Sequence, residues 1–309
     1  MRKKIGGIVP VMLTPFKEDG RIDLDGLHAL VEWYIAHGAN TLFAVCQSSE
    51  MQFLSLDERT ELARRTVEFV AGRLPVIASG HISDLVEDQR EELAAMAETG
   101  VDGLVLVTNY LDPSNDGMDK FRHSLNAVLS WLPSGLPLGL YECPVPYRRL
   151  LSDDEFALCR DIGRFVVLKD VSCDIDIVRR RVALAEGSNL NVVNANAAIA
   201  AEAMRSGSDG FSGVFTNFHP DLYAWLYQNK DRDDTLHRDL EAFLALAAMA
   251  EPMGYPMLAK IYHQRIGTFR STHSRAVSFD ITERFWGVLP LLDHIQTQTE
   301  RFRRAIADL

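Results

Sequence analysis

The sequence predicts an α/β protein, a parallel (β/α)8 TIM barrel followed by a C-terminal helical extension. Three observations carry this expectation. Eight apolar runs rich in Val, Ile and Leu recur along the chain, separated by longer helical stretches. The runs are continuous rather than alternating, as strands buried on both faces must be. Beyond the eighth run, residues 230–309 carry only helical periodicity.

The strand candidates are Gly7–Leu13, Thr41–Val45, Pro75–Ala78, Gly103–Thr108, Pro137–Tyr141, Phe165–Lys169, Leu190–Asn194 and Gly210–Phe215. Helical patterns between them include Asp57–Gly72, Asp84–Thr99 and Met118–Leu132. Asp57 and Asp84 are candidate N-caps, and Gly72 and Gly100 sit where helices should end. Eight strands alternating with helices favour a closed barrel over an open sheet. The barrel is expected over 1–229 and the extension over 230–309, with Asn229–Asp234 as the only polar joint. In the extension, Asp234–Ala250 spaces Leu236, Leu240, Phe243, Leu244 and Ala247 for one helix face. Ile281–Leu309 does the same with Phe285, Leu289, Leu292, Ile295 and Phe302. These helices are expected to pack outside the barrel.

Composition narrows the function classes. Of 309 residues, 47% are hydrophobic and 24% charged, the mix of a globular protein. A net charge of −11 repels a phosphate backbone and argues against nucleic acid as a partner. It leaves room for an anionic small substrate, since a pocket can be locally positive. No apolar run approaches the ~20 residues of a membrane span. The basic start, Met1-Arg2-Lys3-Lys4, leads into a run broken by Gly6, Gly7 and Pro10, so a signal peptide is not expected. Cys46, Cys143, Cys159 and Cys173 show no metal-type pairing, which fits a reducing, cytoplasmic location.

A parallel barrel builds its active site at the C-terminal ends of its strands. The second run leads into Cys46-Gln47-Ser48-Ser49-Glu50, the third into Ser79-Gly80-His81 and the fourth into Thr108-Asn109-Tyr110. The fifth ends in Tyr141-Glu142, the sixth in Lys169-Asp170 and the seventh in Asn194-Ala195-Asn196. Lys169 is one of seven lysines and terminates the apolar run Phe165-Val166-Val167-Leu168. Burial there lowers an amine's pKa, and a neutral amine attacks carbonyls to form an imine. The alternative is a structural ion pair with Glu50, Glu142 or Asp170. Tyr141, on the neighbouring strand, can relay a proton or serve as a core aromatic whose hydroxyl caps a loop. Glu50, His81, Glu142 and Asp170 also raise the possibility of a divalent metal, although no ligand-spacing motif supports one. Gly207, Gly210 and Gly213 read as tight turns rather than a phosphate cradle. No phosphate-loop, HExxH or dinucleotide fingerprint is present.

Taken together, the strand-end motifs resemble those of the dihydrodipicolinate synthase / N-acetylneuraminate lyase family, the Schiff-base-forming pyruvate-type aldolases. The likeness runs the whole length. It rests on Ile8-Val9-Pro10-Val11-Met12-Leu13-Thr14-Pro15-Phe16 and on Cys46–Glu50 followed by Leu54-Ser55-Leu56-Asp57-Glu58-Arg59. It continues through Thr108-Asn109-Tyr110 with Asp112-Pro113-Ser114, Tyr141-Glu142-Cys143-Pro144, Leu168-Lys169-Asp170 with Ser172, and Gly210-Phe211-Ser212-Gly213 with Asn217. The resemblance implies Lys169 as the imine-forming lysine, Tyr141 as the acid/base, and Gln47, Ser48 and Ser212 as substrate-binding residues. It implies a 2-keto acid or sugar-acid substrate, no cofactor, no metal, and a homodimer or homotetramer. A dehydratase using the same lysine and a barrel that only binds a metabolite are the alternatives. Several positions depart from the family pattern. Gln47 stands for a Thr or Ser, Cys46 and Ser49 for glycines, Glu142 for Asn, and Leu111 for a second tyrosine. Pro146 stands where the synthases keep an arginine, with Arg148 nearby but out of register. The departures predict poor condensation of pyruvate with aspartate semialdehyde.

Overall fold

The computed structural model describes residues 4–309; the basic start at 1–3 lies outside it. The barrel strands are β1 (Gly7–Ile8), β2 (Leu42–Val45), β3 (Val76–Ser79), β4 (Gly103–Val107), β5 (Leu138–Tyr141), β6 (Phe165–Asp170), β7 (Asn191–Asn194) and β8 (Gly210–Phe211). The helices that follow them in turn are α1 (Leu24–Ala36), α2 (Leu56–Val70), α3 (Val86–Ala97), α4 (Met118–Trp131), α5 (Asp153–Ile162), α6 (Ile175–Ala185), α7 (Ala200–Arg205) and α8 (Pro220–Gln228). The sheet runs β1-β8-β7-β6-β5-β4-β3-β2 and every pairing is parallel. The ring closes through Val11, which bridges Phe43 in parallel; the Phe43 N–H donates to Pro10 O at 3.0 Å and the Met12 N–H to Phe43 O at 3.1 Å. The (β/α)8 barrel expected from the strand count is therefore the fold.

The first and last strands are shorter than the apolar runs suggested. Pro10 has no N–H to give a ladder, so regular pairing stops at Ile8. After Phe211 the chain turns at once into a 3-10 turn over Val214–Asn217, so Phe215 is a core residue and Val214 a partly buried cavity residue, and neither is strand. The β1–β8 seam needs glycine: Gly210 has φ +116, and a Cβ there would stand 1.9 Å from Gly7 O. Two cap assignments also change. Ser55, not Asp57, caps α2, in a reciprocal box with Glu58. Asp84 caps nothing; α3 begins at Val86 behind Leu85, with no side-chain cap.

The extension holds α9 (Thr235–Ala247), α10 (Met257–Arg265), α11 (Ile281–Arg284) and α12 (Val288–Ala307). Asp234 caps α9, its side chain accepting from the His237 amide. The single helix expected over Ile281–Leu309 is broken at 285–287, around Gly287. A second joint, Glu251–Pro256, separates α9 from α10. It contains Pro252, Gly254 and Pro256, and it turns back over the mouth of the barrel. The extension is thus not confined to the outside of the barrel. Among the described residues, no helix is long and apolar enough to cross a membrane.

Candidate active site

A cavity of about 700 Å³ opens at the C-terminal ends of the strands. Its floor and inner wall come from Gln47, Ser48, Tyr141, Lys169, Phe211 and Ser212. The segment between α9 and α10 supplies the opposite wall with Glu251, Pro252 and Tyr255. All five residues expected at the site, Lys169, Tyr141, Gln47, Ser48 and Ser212, therefore meet in one cavity.

Lys169 and Tyr141 are paired in register across β6 and β5, so both side chains project to the same side of the sheet. Lys169 Nζ lies 4.5 Å from the centre of the Tyr141 ring and 5.6 Å from that of Phe43. Beneath it, inside the barrel, is an apolar layer that includes Val9, Ile77, Val105, Leu140 and Val193. The lysine is only 8% exposed, and that exposure is to the cavity. Burial pushes its pKa below the ordinary lysine value, because the ammonium loses its hydration.

None of the acids that could have held Lys169 in an ion pair does so. Glu50 is buried and taken by Lys260, Ser274 Oγ and the amides of Arg275 and Ala276. Glu142 and Asp170 are both taken by the buried Arg181. His81 is buried as well, with Nε2 accepting from the Val107 amide at 2.9 Å, and burial lowers its pKa to about 4. The four residues of the metal alternative are thus engaged elsewhere: Glu50 with Lys260, Glu142 and Asp170 with Arg181, and His81 with the Val107 amide. Among the described residues, no group of three or more His, Cys, Asp or Glu is placed to hold a metal ion.

The loop after β2 folds without its two glycines. Cys46 is extended, with φ −151 and ψ −175. The Ser49 hydroxyl accepts from the Cys46 amide at 2.8 Å and donates to Ala44 O at 3.0 Å, while Ser49 O accepts from Thr14 Oγ1 at 2.7 Å. The left-handed residue is Glu50, φ 61, whose strain is countered by the partners its carboxylate finds. Among the described residues, neither the Gln47 nor the Ser48 amide has an acceptor. Two N–H groups beside the Ser48 hydroxyl make a cradle suited to a carboxylate.

The remaining expected residues are more constrained. Gln47 Oε1 accepts from the Cys143 thiol at 3.8 Å. Ser212 Oγ donates to Val9 O at 2.9 Å and seams β8 to the first strand, so its proton is committed to the fold. Tyr141 is buried, and its phenol pKa is raised well above the usual value by loss of solvent. It is therefore a proton donor at neutral pH.

Two wall residues escaped the sequence reading, Tyr255 and Glu251. The Tyr255 phenol meets the Ser48 hydroxyl and accepts from Asn217 Nδ2 at 2.9 Å, while Asn217 Oδ1 accepts from Tyr34. Asn217 thus links Tyr34 of α1 to Tyr255 of the extension at the cavity wall. The signal that could have found them was the Pro- and Gly-rich break at 251–256. Arg148, out of register in the sequence, reaches the cavity wall, with Nη1 donating to Val171 O and Ser172 O at 3.1 and 3.2 Å.

A parallel barrel with a buried, unpaired lysine at a strand end and a tyrosine beside it is the architecture of the class I aldolase-type lyases. Residues 4–280 match the Dihydrodipicolinate synthetase family, and the chain belongs to that family. It is 31% identical over 215 residues to the 4-hydroxy-tetrahydrodipicolinate synthase of Thioalkalivibrio sulfidiphilus, covering 69% of this chain and 71% of that one. It is 34% identical over 173 residues to the enzyme of the same name from Azoarcus sp. strain BH72, where the match spans 56% of this chain and 57% of the relative. The fold is shared with YagE, a prophage protein of the same family from E. coli K12 solved in complex with pyruvate: TM-score 0.81, 21% identity, 97% and 99% of the two chains.

Proposed function

We propose that this enzyme is a Schiff-base-dependent aldolase acting on a 2-keto acid, with Lys169 as nucleophile and Tyr141 as acid and base. The observation that carries the reading is the setting of Lys169: cavity-facing, above an apolar layer, with no carboxylate to hold its proton. Such an amine is neutral at lower pH than a surface lysine and attacks the keto carbon. The carbinolamine loses its hydroxyl as water, and Tyr141 supplies the proton. The iminium then draws electrons from the bond between its neighbouring carbon and the hydroxyl-bearing carbon. In cleavage, that hydroxyl gives its proton to the Tyr141 phenolate, an aldehyde departs, and the bond pair forms the enamine. Protonation of the enamine and hydrolysis of the iminium release the shorter keto acid and free Lys169.

The substrate carboxylate fits the Ser48 hydroxyl and the free amides of Gln47 and Ser48. Incubation with a panel of 2-keto acids, monitored for release of a shorter keto acid and an aldehyde, tests the activity. Tyr141→Phe is expected to slow turnover by ~10²–10⁴-fold, the usual share of general acid–base catalysis, while the imine can still be trapped. Undiminished turnover in that variant would remove Tyr141 from the mechanism.

True synthase activity is not expected. Pro146 occupies the position where the family's synthases keep an arginine, and the Arg148 guanidinium is tied to two backbone carbonyls. A carboxylate left without its partner costs several kcal/mol, an order-of-magnitude figure, in transition-state binding. Pyruvate and aspartate semialdehyde should therefore condense at no useful rate in a coupled assay. Robust condensation by the purified enzyme would refute this.

A further inference from the structure

We infer that Glu251, on the segment between α9 and α10, is a specificity-determining residue that selects a hydroxyl and rejects a carboxylate next to the bond being broken or made. The inference rests on the aldolase reading and concerns the half of the substrate that lies beyond the imine. Glu251 is open to the cavity, and among the described residues its carboxylate has neither a hydrogen-bond donor nor a cation within salt-bridge distance. Every other acid considered near the strand ends is neutralised by Arg181 or Lys260. Glu251 thus presents acceptor lone pairs to whatever fills the cavity.

The position relative to the reacting centre sets which part of the substrate it meets. Glu251 lines the same cavity as Lys169, and the charge of each bears on the other. Substrate atoms beyond the three-carbon unit on Lys169 extend into the space that Glu251 lines, where the Arg148 guanidinium is already tied to two backbone carbonyls. The neighbouring polar groups are carboxamides. Gln52 Nε2 is buried without an acceptor, and the Asn196 amide nitrogen is uncommitted; both line the same cavity. Carboxamides and an ionised carboxylate together hydrogen-bond a hydroxylated chain. A substrate carboxylate at the same place meets like charge. Burial raises the Glu251 pKa and the Lys169 charge opposes that rise.

Glycolaldehyde and glyoxylate test this, because they place a hydroxymethyl group or a carboxylate beside the same aldehyde carbon. In either addition the pyruvate enamine carbon bonds to the aldehyde carbon, the carbonyl electron pair moves to oxygen, and Tyr141 gives that oxygen its proton. Water then releases the product from Lys169. Wild-type enzyme should favour glycolaldehyde by at least about tenfold in kcat/KM. In Glu251→Gln the preference should shrink by about tenfold, chiefly through faster addition to glyoxylate, with Glu251→Asp in between. Borohydride should trap pyruvate on Lys169 to completion in all three proteins. Complete trapping with an unchanged aldehyde preference overturns the Glu251 inference and leaves the lysine mechanism standing. Absence of trapping in the wild type overturns the mechanism and the inference with it, and trapping without addition to either aldehyde overturns the inference.

Discussion

A 2-keto acid and borohydride together are expected to add a stable mass to Lys169 and to no other lysine. Hydride adds to the imine carbon and leaves a secondary amine, so intact mass and peptide mapping read the site directly. The discriminating comparison is with Lys260. Burial lowers its pKa to about 8, so a depressed pKa alone would nominate it as a second nucleophile. It is fully enclosed, however, ion-paired to Glu50 and donating to His273 O at 2.8 Å. No keto acid reaches it. Lys4, Lys17, Lys120 and Lys230 lie away from the cavity wall, out of reach of a keto acid held in it. Lys169→Ala should abolish both labelling and turnover. Lys169→Arg should be equally inactive, because a guanidinium stays charged and forms no imine. The pH dependence has a definite sign. The reactive form is the neutral amine, which accumulates above the pKa, and burial has moved that pKa down. Trapping should therefore accelerate as pH rises and level off below the ordinary lysine value. Labelling of Lys260, or full activity in Lys169→Ala, would sink the mechanism.

The contrast between the two buried lysines shows where a sequence informs and where it does not. Lys169 is legible because it ends an apolar strand, and strand ends in a parallel barrel converge on one mouth. Tyr141 is legible for the same reason, and their register partnership follows from strand adjacency. Lys260 reads as a surface residue. It lies in Met257–Arg265, a polar, helical stretch, and its partner Glu50 is 210 residues earlier. Ion pairs of that separation leave no local pattern. Tyr255 and Glu251 were hidden in the same way, since only the return of the chain over the barrel mouth brings them to Ser48 and Lys169. The Ser55 cap, by contrast, was within reach. Ser55 and Glu58 have the spacing of a capping box, and the acidic Asp57 drew attention from it. The shortened first strand was also foreseeable from Pro10. The early end of β8 was not, because Val214 and Phe215 are apolar for reasons of burial rather than pairing.

Replacing Arg181 is expected to cost more stability than any other single change in the barrel. Arg181 comes from α6, is 1% exposed, and binds Glu142 at the end of β5 and Asp170 at the end of β6. It also donates to Leu151 O at 3.1 Å, while Glu142 accepts from the amides of Leu151 and Val171. The triad thus ties together the two strands that present Tyr141 and Lys169. Arg181→Met fills a similar volume but leaves two buried carboxylates facing each other without a cation. Breaking a buried pair by removing one partner costs about 3–5 kcal/mol. Urea denaturation followed by tryptophan fluorescence should register a loss of that order at pH 7. The pH dependence separates electrostatics from packing. Burial already raises the Glu142 pKa, Asp170 adds to the rise, and only Arg181 among its cationic neighbours opposes it. Without the arginine, the Glu142 carboxyl titrates still further above its unfolded value, so the folded variant binds a proton more readily than the unfolded chain. The penalty is then greatest above that pKa and shrinks as pH falls through it. The gap between wild type and Arg181→Met should therefore narrow between pH 7 and pH 5. A gap that stays constant with pH would mean that Arg181 acts through shape alone. A loss under about 1 kcal/mol, the scale of an exposed ion pair, would mean that the triad does not hold the two strand ends.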